Sequence, residues 1–244
     1  MDRQLSRNNA AAGAIVAGAA LVAAGFALAL ASGAPLLHPH ETAPTASGFL
    51  SAVVMWQAMM IAMMTPTVAP WVTAFGRLMP VPAGGRAAAG SMAFAFGYFS
   101  VWLAYSVAAA VLQIGLSVAG LAGAHGAPPR VAALVLVAAG LFQFAPVRQA
   151  CLTHCRNPIS YLLTRWRTGP PSAFRLGLAH GAYCVGCCWL LMLTGLAVGV
   201  MNLAWMALVT VAVAVEQAAP GGIWVGRALG AGLIAWGALL AWPV

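Results

Sequence analysis

The residues of this chain able to do chemistry are mainly sulfur and imidazole. Five cysteines fall into two groups. The first reads Cys151-Leu152-Thr153-His154-Cys155. The second reads His180-Gly181-Ala182-Tyr183-Cys184-Val185-Gly186-Cys187-Cys188-Trp189. On a helix, residues three and four apart share a face. His180, Cys184, Cys187 and Cys188 are spaced +4, +3 and +1, which at about 100° per residue confines them to one stripe about 100° wide. Cys151, His154 and Cys155 share a face in the same way if their segment is helical, with Asn157-Pro158 ending it. Thiolate and imidazole suit copper(I), zinc or iron–sulfur centres, and Cys-x-x-Cys is also a redox dithiol spacing. A lone cysteine in an apolar helix would be a small core residue. A four-residue His/Cys stripe beside a second Cys/His cluster points instead to a metal.

A second soft-donor feature lies upstream. Met55, Met59 and Met63 repeat at +4 and form a ladder on one helix face, with Met60 and Met64 beside it. Thioether sulfur is a neutral, soft ligand suited to copper(I). The competing reading is that methionine fills irregular gaps between helices. Depth counting along the two helices puts Met59 and Met60 level with Cys187 and Cys188. If those helices are neighbours, a file of soft ligands runs from His38 and His40, past the methionines, to the cysteine stripe and on to Cys151, His154 and Cys155. Pro66 and Pro70 are expected to bend or open the methionine helix just below the ladder.

Glu216 is the third feature. Folding the chain about a turn near Gly199–Asn202 places it opposite the Cys184–Val185 level. There it would serve as a metal ligand, a proton acceptor, or a partner holding the His180 ring. The alternatives are an acid that reaches the interface or one that pairs with Arg227.

The elements that must position these groups follow from composition. The 244 residues are 63% hydrophobic and 6% charged, with three acids, eleven arginines and no lysine, for a net charge of +8. A soluble domain carries roughly 25% charged residues, and disorder needs low hydrophobicity; both classes are excluded. The arginines lie between apolar runs rather than on one soluble face, so a nucleic-acid partner is excluded as well. The expected fold is all-α, a polytopic helical membrane bundle. Apolar runs of about 20 residues can cross a bilayer. They lie near Ala10–Ala31, Phe49–Phe75, Ser91–Ala119 and Val131–Val147. The long stretch Phe174–Ala219 divides into two, and the last run is Trp224–Trp242. That makes seven spans, or six if the first, which ends in Ala-Leu-Ala-Ser at 29–32, is a cleaved signal.

Ten of the eleven arginines then fall on one side, with Arg130 alone on the other. The positive-inside rule therefore predicts a bacterial cytoplasmic (inner) membrane protein with a cytoplasmic N-terminus and an outside C-terminus. The chain reads as a single membrane domain: 1–48 as first span and outer loop, 49–220 as the core carrying the site motifs, and 221–244 as last span.

The runs MWQAMMIAMMTP, QFAPVRQACLTHCRNP and GLAHGAYCVGCCWLLML followed by GVMNLAWMAL resemble a bacterial family of membrane proteins of unknown function, described as predicted metal-binding integral membrane proteins. The resemblance covers about residues 50–220. It implies roles for Trp56, Met59, Met60, Met63, Met64, Pro66, Gln143, Pro146, Cys151, Cys155, His180, Cys184, Cys187, Cys188, Trp189, Met201 and Glu216. Members of that family often carry lysine after the acid; this chain has Gln217, which removes any ion pair the lysine would make.

The function expected from these features is soft-metal binding, transport or delivery, with copper most favoured and zinc or iron as alternatives. The metal ligand candidates are His180, Cys184, Cys187, Cys188, Cys151, His154, Cys155, Met55, Met59, Met63 and Glu216. Partners would be the lipid bilayer and a membrane or periplasmic subunit or metallochaperone. Two other readings compete: a metal-dependent membrane oxidoreductase or subunit of one, such as a copper monooxygenase, and a quinone-coupled thiol redox protein using Cys184 and Cys187. No P-loop, dinucleotide fingerprint or nucleophile–base pair is present. Three acids also cannot surround a hard cation such as calcium, which wants several oxygens.

Overall fold

Apolar runs punctuated by proline and glycine produce helices throughout the described residues. The computed structural model describes residues 44–78, 86–121, 126–157, 164, 170–200, 202–219 and 221–242. Seven α-helices result: α1 Ala46–Leu78, α2 Arg86–Val118, α3 Pro129–Phe142, α4 Pro146–Arg156, α5 Pro170–Val198, α6 Leu203–Ala218 and α7 Gly222–Ala241. The fold is all-α, as expected. These seven are not the seven spans read from the sequence. The run at 10–31 and the histidines His38 and His40 lie outside the described residues. The expected fourth span, Val131–Val147, is broken near its end: α3 stops at Phe142, and α4, which runs on beyond that span, starts at Pro146 with a bend of 63° between them.

Local chemistry explains the boundaries. α3, α4 and α5 begin at Pro129, Pro146 and Pro170, where a missing N–H costs nothing and φ is already helical. Ala145 precedes Pro146 and is extended, because the proline ring disfavours the α region for the residue before it. That extended residue is the physical cause of the α3–α4 break. The predicted turn near Gly199–Asn202 is present: Gly199 has φ of 111°, a left-handed conformation that glycine adopts freely. Asn202 then caps α6, its side chain accepting from the Trp205 N–H at 3.0 Å. α1 runs continuously through Pro66 and Pro70. Thr65 and Thr67 donate their hydroxyls to the Ile61 and Met64 carbonyls beside that stretch.

α5 lies at the centre, packed against α2, α3, α4 and α6, while α1 packs on α2 and α6, and α7 on α3 and α6. Glycine sets the closest approaches. A Cβ on Gly177 would fall on the Phe94 carbonyl, and one on Gly97 would fall on the Phe174 carbonyl. α2 and α5 therefore meet backbone to backbone. Among the described residues, four helices are long and apolar enough to cross a membrane: Ala46–Phe75, Ala89–Val118, Pro170–Val198 and Gly222–Ala241. α6, expected as a further span, has 16 residues, about 24 Å at 1.5 Å per residue. Large apolar side chains such as Phe96, Leu134, Val211, Trp224 and Leu239 face outward.

Gly177→Ala is expected to destabilise the protein by about 1–3 kcal/mol through overpacking. Gly195, with open space around its Cβ position, serves as the control. Gly195→Ala should leave the thermal midpoint unchanged or raise it, and equal effects at both positions would contradict this helix contact.

Candidate metal centre

The cysteine stripe forms where its spacing put it. His180, Cys184, Cys187 and Cys188 are all buried on α5. The second cluster is also helical: Cys151, His154 and Cys155 lie on α4, which ends at Asn157. The 63° break turns α4 back against α5 and α6, and this brings Cys155 to the stripe. The sulfurs of Cys155, Cys184 and Cys187 lie within 4.8 Å of one another, all three buried. Among the described residues this is the one grouping of His, Cys, Asp or Glu close enough to share a metal ion.

The other candidates stand around that trio. Cys188 donates its thiol to the Cys184 carbonyl at 2.9 Å. Cys151 is half-buried, and its sulfur sits where a Cβ on Gly186 would intrude. His154 stacks on Tyr183 with ring centroids 4.2 Å apart. His180 lies one turn from Cys184, stacked on Trp71 at 3.7 Å and flanked by Tyr98 and Phe94. Trp71 also donates its indole N–H to the Cys155 carbonyl at 3.1 Å. The methionines Met55, Met59, Met60, Met63 and Met64 are buried in the same core as the thiols.

The contacts also set the register between α1 and α5. Trp71 meets His180. Thr67 reaches Tyr98 at 3.5 Å, and the Tyr98 hydroxyl reaches the Cys184 sulfur at 3.1 Å. One turn back along α1 thus answers one turn forward along α5, so the helices are antiparallel. The methionines of α1 continue beyond Thr67 in the same core as the thiols.

Glu216 has a different neighbour from any expected. Its carboxylate accepts from the Arg148 guanidinium at 2.5 Å; Arg227 lies instead over the Trp224 ring. Arg148 is 1% exposed and Glu216 is 3% exposed. The same guanidinium donates Nε–H to the Cys187 carbonyl at 3.0 Å and Nη1 to the Gln143 carbonyl at 3.4 Å. The residue facing the thiols from α6 is Gln217, whose amide N lies 3.9 Å from the Cys184 sulfur and 4.0 Å from that of Cys187. Arg148, Gln217, Tyr98 and Trp71 are thus the site neighbours that sequence reasoning did not assign to the site. A guanidinium can bond carbonyls and a carboxylate together, but nothing in the local spacing reveals its long-range partners.

Chemically, the trio is a soft pocket of three thiols, with the Gln217 amide N–H directed at the Cys184 and Cys187 sulfurs and the Tyr98 hydroxyl within hydrogen-bonding reach of Cys184. A structural zinc site wants four ligands in a tetrahedron. Three converging sulfurs suit a soft monovalent ion. A family model described as PpoB2, copper chaperone, matches residues 53–240. The chain belongs to this copper chaperone family. No curated protein and no solved structure matches it. A donor set of three thiols fits copper, the metal that the family description names.

The buried ion pair makes a further expectation. Glu216→Gln leaves a guanidinium buried without its counter-charge, which costs about 3–5 kcal/mol. Thermal unfolding should show that loss. Adding Arg148→Gln should restore much of it, since removing both charges together is far less costly.

Proposed function

We propose that the protein is a membrane-integral copper(I) chaperone that holds the ion on Cys155, Cys184 and Cys187 and passes it to an acceptor. The observation that carries this reading is the buried three-sulfur cluster in a chain belonging to a copper chaperone family. Thiolates prefer copper(I) among biological cations, and burial keeps competing oxygen ligands and water away. The buried methionines Met55, Met59, Met60, Met63 and Met64 of α1 would supply neutral thioethers in the same core. Cys151 and His154 would extend the path along the helix that also carries Cys155. Copper moves along such a file by exchange, one sulfur bond forming as another breaks. The acceptor is a protein offering thiol or thioether ligands, either a partner subunit or a soluble metallochaperone.

Membrane insertion is part of the proposal. It is supported by the four long apolar helices, by the outward-facing apolar side chains, and by three acids in 244 residues. The bias of the arginines favours the bacterial cytoplasmic membrane with the N-terminus inside. In that orientation the Cys151/His154 end of the site faces the cytoplasm and the methionines lead outward.

The test is anaerobic titration of the purified, reduced protein with copper(I) against a chromogenic chelator. Copper-edge X-ray absorption then reports the ligands. Sulfur-dominated coordination is expected. Cys184→Ser should weaken binding at least about tenfold, corresponding to about 1.4 kcal/mol. Equal affinity for wild type and for Cys184→Ser with Cys187→Ser would overturn the assignment.

A further inference from the structure

Two of the three clustered sulfurs belong to one helix, and their spacing is set by α5 itself. The third, Cys155, comes from α4, a helix of 11 residues reached through the 63° break. A helix so short is marginal by itself, so its placement rests on what grips it. Arginines grip it at both ends. At its first turn Arg148 reaches the Glu216 carboxylate and the Cys187 carbonyl. At its last turn Arg156 donates to the carbonyls of Glu216 and Ala219, both at 2.7 Å. These are carbonyls at the C-terminal end of α6, where helices leave acceptors unpaired and the dipole favours a cation.

Glu216 is therefore held twice, by side chain and by backbone. Arg148 stands at the N-terminal end of α4, where the dipole of its own helix disfavours a cation. Its location is explained by its distant partners. Room for the clamp is built into α7: a Cβ on Gly226 would fall on the Glu216 carboxylate, and one on Gly222 on the Glu216 carbonyl. The guanidinium touches the backbone of one sulfur ligand, Cys187, while sitting on the helix of another, Cys155.

We propose that Arg148 and Arg156 are positioning residues that clamp α4 to the end of α6, and that this clamp holds Cys155 in the three-sulfur copper site. The inference rests on the copper(I) reading for its metal-bound consequences. Its geometric content stands without metal. With the clamp intact, copper(I) is held by all three sulfurs. With it removed, the ion remains on Cys184 and Cys187 alone. Supporting residues behind metal ligands change affinity by about 10–100-fold when removed, and a loss of that size is expected here.

The experiment uses the full chain carrying Arg148→Gln with Glu216→Gln, so that no buried charge is left unpaired. Without metal, Cys155 should react with a maleimide markedly faster than in wild type. With copper(I), X-ray absorption should report two sulfurs instead of three. Affinity should fall to that of Cys155→Ser, and adding Cys155→Ser to the double variant should cause no further loss. A folded double variant that keeps a protected Cys155, three sulfurs and wild-type affinity overturns the proposal; so does a loss that simply adds to that of Cys155→Ser. Should the double variant fail to fold, Arg156→Gln decides the matter: it removes the α6 carbonyl contacts while leaving the Arg148–Glu216 pair in place, and is expected to expose Cys155 to the same reagent. A wild-type protein that binds no copper(I) while Cys155 is protected by the clamp would refute the functional reading and leave the clamp standing.

Discussion

The pair formed by Arg148 and Glu216 ties three helices at one point. Arg148 belongs to α4, Glu216 to α6, and the carbonyl that Arg148 also engages belongs to Cys187 of α5. A buried guanidinium is tolerated only where a counter-charge and acceptors surround it, so each of these helices must hold its place for the others to do so. The glycines of α7 that admit Glu216 extend the constraint to a fourth helix. Together with the glycine contacts and the hydrogen bonds between helices, this pair fixes one arrangement of the bundle beside the thiols.

The chemistry next to that point is soft throughout. Cys155, Cys184 and Cys187 converge, five methionines share their core, and the one acid nearby is taken by an arginine. Hard cations find no oxygen cage. The family assignment as a copper chaperone and the donor set point the same way. The aromatic stack of Trp71 on His180 closes one flank, and the Trp71 indole holds the Cys155 backbone. The three clustered sulfurs are thus enclosed by aromatic groups and share their core with thioethers.

Parts of this arrangement were legible from spacing. The +4, +3, +1 pattern from His180 to Cys188 becomes a buried stripe because a helix repeats every 3.6 residues whatever surrounds it. The turn at Gly199–Asn202 was visible because glycine and asparagine are the residues that such a turn requires. The α3–α4 break was not read, although Ala145 before Pro146 carries its signal; an apolar run long enough to span hides a bend. The burial of Arg148 was not legible either. An arginine beside an apolar run looks the same in sequence whether it faces water or a carboxylate 68 residues away.

Residue types and local periodicity by themselves determined an all-helical chain and a soft ligand set, because these depend only on composition and on neighbours a few residues apart. Tertiary structure alone decided that Cys155, rather than His180 or Cys188, joins Cys184 and Cys187, and that Gln217 rather than Glu216 faces the sulfurs. Each of these is set by the angle and height at which two helices meet. That angle depends on a proline break, on glycine contacts and on an ion pair acting together across long stretches of chain, and no local pattern encodes their sum.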